Sequence, residues 1–116
     1  MTRTGQIAGW TLAIVIVVLS IVPPSLRPET GLPNVLEHFA IFYAMGFAFG
    51  LGYGQPVVLF LALAAFDAAI EIAQLFVAGR HARLSDFVTD LVATTVAVMT
   101  IEFIRWSLRT YYYNRT

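Results

Sequence analysis

The sequence predicts an all-α integral membrane protein: one domain spanning residues 1–116, folded as a bundle of four transmembrane helices. Three observations carry that expectation. The 116 residues are 59% hydrophobic and only 12% charged, about half the roughly 25% charged of an ordinary soluble domain, and the mean hydropathy is +0.76. Four apolar runs, each near the roughly 20 residues that cross a bilayer, are separated by stretches bearing proline, glycine or arginine. The polar residues that interrupt the later runs recur at helical spacing. Composition also excludes classes. No cysteine is present, which removes disulfides, thiolate metal sites and a catalytic thiol. A net charge of zero with no basic run gives nucleic acid no footing as a partner.

The first helix is expected over about 5–22, in the run IAGWTLAIVIVVLSIV, with Pro23 and Pro24 ending it. A short basic stretch precedes this run, but PPSLRPET after it lacks a small-x-small cleavage site, which favours a retained helix over a cleaved signal peptide. The second helix is expected over 35–52, with Asn34 as its cap and Glu37 reaching back in a capping-box arrangement. Gly46, Gly50 and Gly54 stand four apart, a small-residue ridge suited to close approach by another helix. Pro56 suits the first position of the third helix, expected over 56–77, and the short turn before it makes helices two and three antiparallel neighbours. After the basic loop AGRHARL, Ser85 is placed to cap a fourth helix over 86–106, with Asp86 favouring its N-terminal dipole. Trp106 and the tail SLRTYYYNRT suit a headgroup belt. Four spans put both termini on one side with Arg3, Arg105, Arg109 and Arg115, against Arg27, Arg80 and Arg83 on the other. If Arg80 and Arg83 serve a site rather than topology, the positive-inside rule favours cytoplasmic termini.

The chemistry gathers between Asp67 and Asp90, which hold four of the seven acidic residues. Asp67, Glu71 and Gln74 fall at i, i+4 and i+7 on helix three, and Asp86 and Asp90 repeat the i, i+4 spacing on helix four. Glu71 would lie about 9 Å and Asp67 about 15 Å below the outer end of its helix, depths at which an ionised carboxylate must face the interior, find an arginine or be protonated. Asp67 has no evident basic partner and is expected to be protonated or hydrogen-bonded to hydroxyls such as Thr94. Arg80 or Arg83 would neutralise Glu71, Asp86 or Asp90. His38, near the outer start of helix two, could join an acid in proton transfer. His38 and His81 show no close metal-ligand spacing, and no phosphate loop, dinucleotide fingerprint or haem motif occurs, so neither metal nor cofactor is expected.

The order of His38-Phe39, Glu71-x-x-Gln74, Gly79-Arg80 and Asp86, spread from about Leu32 to Ala97, resembles the VanZ-like family of small polytopic membrane proteins. Where that family commonly has Asp-Lys before the histidine, this chain has Asn34 and Val35; where it has Asn, this chain has Asp90; and Ala93 replaces a following Gly. The resemblance implies a single VanZ-like domain in the bacterial cell envelope, of a kind linked to glycopeptide (teicoplanin) resistance, without licensing an enzyme assignment.

The leading expectation is an outward-facing pocket of His38, Glu71, Gln74, Arg80, Arg83, Asp86 and Asp90. It would bind an anionic lipid or lipid-linked wall precursor, because guanidinium forks match phosphate oxygens. Alternatives are a membrane-embedded lipid-phosphate hydrolase or transferase using His38 with an acid of helix three or four, a proton-coupled carrier subunit working as a homo-oligomer, and a purely structural protein.

Overall fold

The computed structural model describes residues 2–21, 34–76 and 84–115. It is all-helical among the described residues, with α1 (Arg3–Ile21), α2 (Asn34–Gly52), α3 (Pro56–Gln74) and α4 (Leu84–Arg115). α1, α3 and the Phe87–Arg115 part of α4 are long and apolar enough to cross a membrane, while the apolar part of α2, Leu36–Gly52, is shorter. Large apolar side chains stand exposed on every helix, among them Ile14, Leu36, Leu61 and Met99, as a surface solvated by lipid requires.

Pro56 occupies the first turn of α3, as its fixed φ and missing N–H favour. α4 begins at Leu84, so Ser85 and Asp86 lie in its first turn. The capping roles expected of Asn34, Ser85 and the Asp86 side chain lie outside the described residues. One boundary is corrected: α4 does not stop at Trp106 but continues through the aromatic tail to Arg115. The tail contains neither proline nor glycine, and the Arg115 guanidinium sits 4.8 Å from the centroid of the Tyr111 ring one turn back. At 32 residues the helix is about 48 Å long, well beyond a hydrocarbon core of about 30 Å.

The expected neighbours are also corrected. The short turn makes α2 and α3 antiparallel, yet they touch little; α2 packs chiefly on α4 and α1, and α3 chiefly on α4. The glycine ridge explains the choice. A Cβ at Gly46 would lie 3.0 Å from Ala97 Cβ and 3.2 Å from Thr94 Cα, and one at Gly50 would lie 2.8 Å from Ile101 Cγ1. The ridge therefore brings α4 against α2, with the two helices running parallel. On its other side α2 meets a second small-residue stripe, Gly5, Gly9 and Ala13 of α1, where a Cβ at Gly9 would lie 2.8 Å from the Phe49 ring. In lipid, where apolar burial drives helices together only weakly, such close contact is the main source of association.

The far end of α2 shows how completely the bundle satisfies its backbone. A helix leaves its last four carbonyls without intrahelical donors, and in α2 each finds one. The Phe49 carbonyl accepts from Tyr53 N at 2.9 Å and the Leu51 carbonyl from Thr2 N at 3.1 Å. Gln6 Nε2 donates to the Gly52 carbonyl at 2.9 Å, and Arg105 Nη2 donates to the Gly50 carbonyl and to Tyr53 O at 3.3 Å. Arg105 also pairs with Glu102 at 2.7 Å and puts positive charge where the helix dipole is negative. These bonds place the start of α1, the end of α2 and residue 105 of α4 at one end of the bundle.

Arg105→Met is expected to destabilise the protein by roughly 1–3 kcal/mol, the range for leaving buried acceptors unmet; a thermal unfolding midpoint in detergent matching the parent's would refute it. Gly46→Val should lower stability by a similar amount, roughly 1–3 kcal/mol, through overpacking against the Thr94 backbone. The same measurement decides it.

Candidate functional site

α3 buries a single stripe, Leu63, Asp67, Ile70 and Gln74. Two of those four are polar, and the stripe's 4–3–4 spacing follows from 3.6 residues per turn. It passes through Ile70, so Glu71 lies at its edge, half-buried, rather than at its centre as the i, i+4 reading expected. Gln74 is buried at the C-terminal end of α3 and Asp67 is wholly enclosed at the middle.

α4 answers with Asp90 and Thr94, both buried. Thr94 Oγ1 donates to Asp67 Oδ2 at 3.1 Å, the hydroxyl partner expected for that carboxyl group. The same hydroxyl also lies 3.2 Å from the Asp90 carbonyl and 3.1 Å from the Leu91 carbonyl. Its single hydrogen thus has three acceptors within reach. Asp67 Oδ1 is buried and meets no donor among the described residues. A buried polar atom left in that state is rare in native proteins and marks the site for explanation.

One turn back, Asp90 faces α2 instead. Its Oδ1 lies 3.0 Å from His38 Nδ1, and the histidine side chain is 18% exposed against 3% for the aspartate. His38 occupies the same four-residue repeat of α2 as Gly46 and Gly50, so the close approach that the glycines allow also brings the imidazole to the carboxylate. Its ring stacks on Phe42, with centroids 6.2 Å apart and planes 14° apart. With Asp90 ionised, Nδ1 carries the hydrogen and donates, which sets the tautomer and orients the ring.

A polar column thus runs from partly exposed His38 through Asp90 and Thr94 to Asp67, crossing from α2 to α4 to α3. Of the expected site residues, His38 and Asp90 are brought into contact, Gln74 shares the buried stripe of Asp67, and Glu71 borders it. Arg80 and Arg83, with their expected pairing to acids, lie outside the described residues, as does the Asp86 side chain. Among the described residues no three His, Asp or Glu side chains converge as metal ligands. Sequence reasoning did not find the specific pairing of His38 with Asp90. Its signal was the shared repeat of His38 with the glycine ridge, which fixes the face of α2 that α4 meets.

The chain matches no family model, no curated protein and no solved structure.

Thr94→Val should destabilise the protein by roughly 1–3 kcal/mol, because it strips Asp67 of its hydrogen bond while leaving it buried. In an Asp67→Asn background the same change should have a different effect, with a coupling of roughly 0.5–3 kcal/mol across the double-mutant cycle. Additive losses would show that the two side chains act independently.

Proposed function

We propose that this chain is an integral membrane protein of the bacterial cell envelope that binds the polar head of an anionic lipid or lipid-linked wall precursor. The binding site is the His38 end of the polar column, and both termini lie in the cytoplasm. The observation that carries the reading is the pair of His38 and Asp90, held together in the bundle with the imidazole reaching toward the surface. Charged and polar groups within membrane helices mark ligand or ion sites by default, since a merely structural role is met more cheaply by apolar packing. A protonated histidine that keeps its Nδ1–H on a carboxylate has its Nε2–H left to donate to a phosphate oxygen. In sequence, Arg80 and Arg83 fall between Gln74, at the outer end of α3, and the start of α4, a position from which guanidinium forks would complete an anion site. The resemblance to VanZ-like proteins supports the same envelope placement.

The imidazole geometry favours one second reading. A carboxylate at Nδ1 orients a histidine so that its other ring nitrogen can transfer a proton, which is the arrangement a lipid-phosphate hydrolase or transferase needs.

Native mass spectrometry of the protein gently extracted from its own membrane tests the binding reading. The parent should retain a defined anionic lipid or wall precursor, and His38→Ala and a Glu71→Gln, Arg80→Gln double variant should each lose at least tenfold of that occupancy. Bare protein in all three, with the variants merely less stable, would leave the charges a structural role only. Release of phosphate from a panel of lipid phosphates by the parent, lost in His38→Ala, would instead establish the catalytic reading.

A further inference from the structure

The opposite end of the bundle holds a second feature. A cavity of about 750 Å³ lies between α1 and α3, backed by Phe49 of α2 and bordered by Tyr53 of the turn that follows. It exists because the two flanking helices are committed elsewhere. α1 turns its small-residue stripe to α2, and α3 packs chiefly on α4. Where α1 and α3 do face each other they present small side chains, Ala13 and Ala62, which cannot close the gap. The groove opens sideways to the bilayer past Trp10 and Val58, exposed by 57% and 60%.

We propose that this groove seats an acyl chain of a bilayer phospholipid from the leaflet on the side of the chain termini. Its length along α3, from Gln55 at the rim to Phe66 at the floor, is about 16 Å at 1.5 Å per residue, close to the roughly 15 Å of hydrocarbon in one leaflet. Polarity is confined to the rim, where Trp10 Nε1 donates to Tyr53 Oη at 3.0 Å. Deeper in, the apolar walls offer water none of the partners it needs. The groove's walls are short apolar side chains, Ala13, Val58, Ala62 and Leu63 among them, an uneven surface that a flexible hydrocarbon tail can follow. Arg3 lies seven residues before Trp10, two turns up the same face of α1, and so stands where the phosphate of a lipid seated in this groove would fall. The site is remote from His38 and does not depend on what binds there.

The test is photolabelling in nanodiscs made with a phospholipid that carries a diazirine on its acyl chain, with adducts mapped by peptide mass spectrometry. Adducts should concentrate on the groove-facing residues of α1 and α3. Ala62→Trp, which fills the groove, should reduce them at least tenfold, whereas Leu61→Trp, on the neighbouring lipid-exposed surface, should leave them unchanged. Val58→Trp, an exposed groove residue, provides a second plug should Ala62→Trp fold poorly. Labelling spread evenly around α1 and α3 and indifferent to both plugs would overturn the proposal. Efficient oxidative disulfide dimerisation of a Trp10→Cys variant in the same nanodiscs, in a chain with no other cysteine, would overturn it in favour of a dimer contact.

Discussion

The close parallel contact of α2 with α4 is the constraint on which the rest of this protein depends. It rests on two missing side chains, at Gly46 and Gly50, whose absence lets Thr94, Ala97 and Ile101 approach the α2 backbone. The polar pairs that join the helices are referred to that contact. His38 reaches Asp90 because both stand on it. Asp67 finds Thr94 because α4, held against α2, turns its next turn toward α3. At the other end, Arg105 meets the last carbonyls of α2 along the same line.

Placing such groups in a bilayer makes their pairing stringent. Water is not available at depth to receive an unpaired carboxylate or carbonyl, so each must be met from within the protein. The two ends solve this differently. The carbonyls ending α2 draw donors from α1, from the turn and from α4, which yields a closed backbone network. The column at the His38 end is less complete, since Thr94 has one hydrogen for three acceptors and Asp67 Oδ1 meets no donor among the described residues. A scaffold satisfied at one end and polar but unfinished at the other has the division expected between structure and site.

Much of the fold was legible because it is written locally. Apolar runs near membrane length, bounded by Pro23, Pro24, Pro56 and the glycines of the α2–α3 turn, place the four helices within a few residues, except at the C-terminal end of α4. Asp67 lies deepest in its run, with no evident basic partner in the sequence, so a hydroxyl such as Thr94 was the natural partner. What was not legible depends on angles between helices. Asp90 shared its spacing with Asp86, and Glu71 was an equally good partner for His38 until the face that α2 turns to α4 was known. The turn before Pro56 set the direction of α3 but not its contacts, which the glycine ridge gave to α4. Arg105 was hidden for another reason: its partners are main-chain carbonyls, which no side-chain pattern advertises. The helical tail was missed because three consecutive tyrosines read as an interfacial belt, and the contact of Arg115 with Tyr111 emerges only once a helix exists.

The glycine contact also governs how the molecule can move. Turning α4 by one residue swings its side chains by about 100°, which would carry Thr94 off the Gly46 backbone and Asp90 away from His38 together. Sliding is blocked in the same way by Ile101 against Gly50. α2 and α4 therefore behave as one rigid beam. α3 is joined to that beam by the turn at 53–55, where Arg105 holds the Tyr53 carbonyl, by the packing of its buried stripe on α4, and by the hydrogen bond of Thr94 with Asp67. The freedom left to α3 is a swing about the turn at 53–55, opposed by the packing of its buried stripe on α4 and by the hydrogen bond of Thr94 with Asp67.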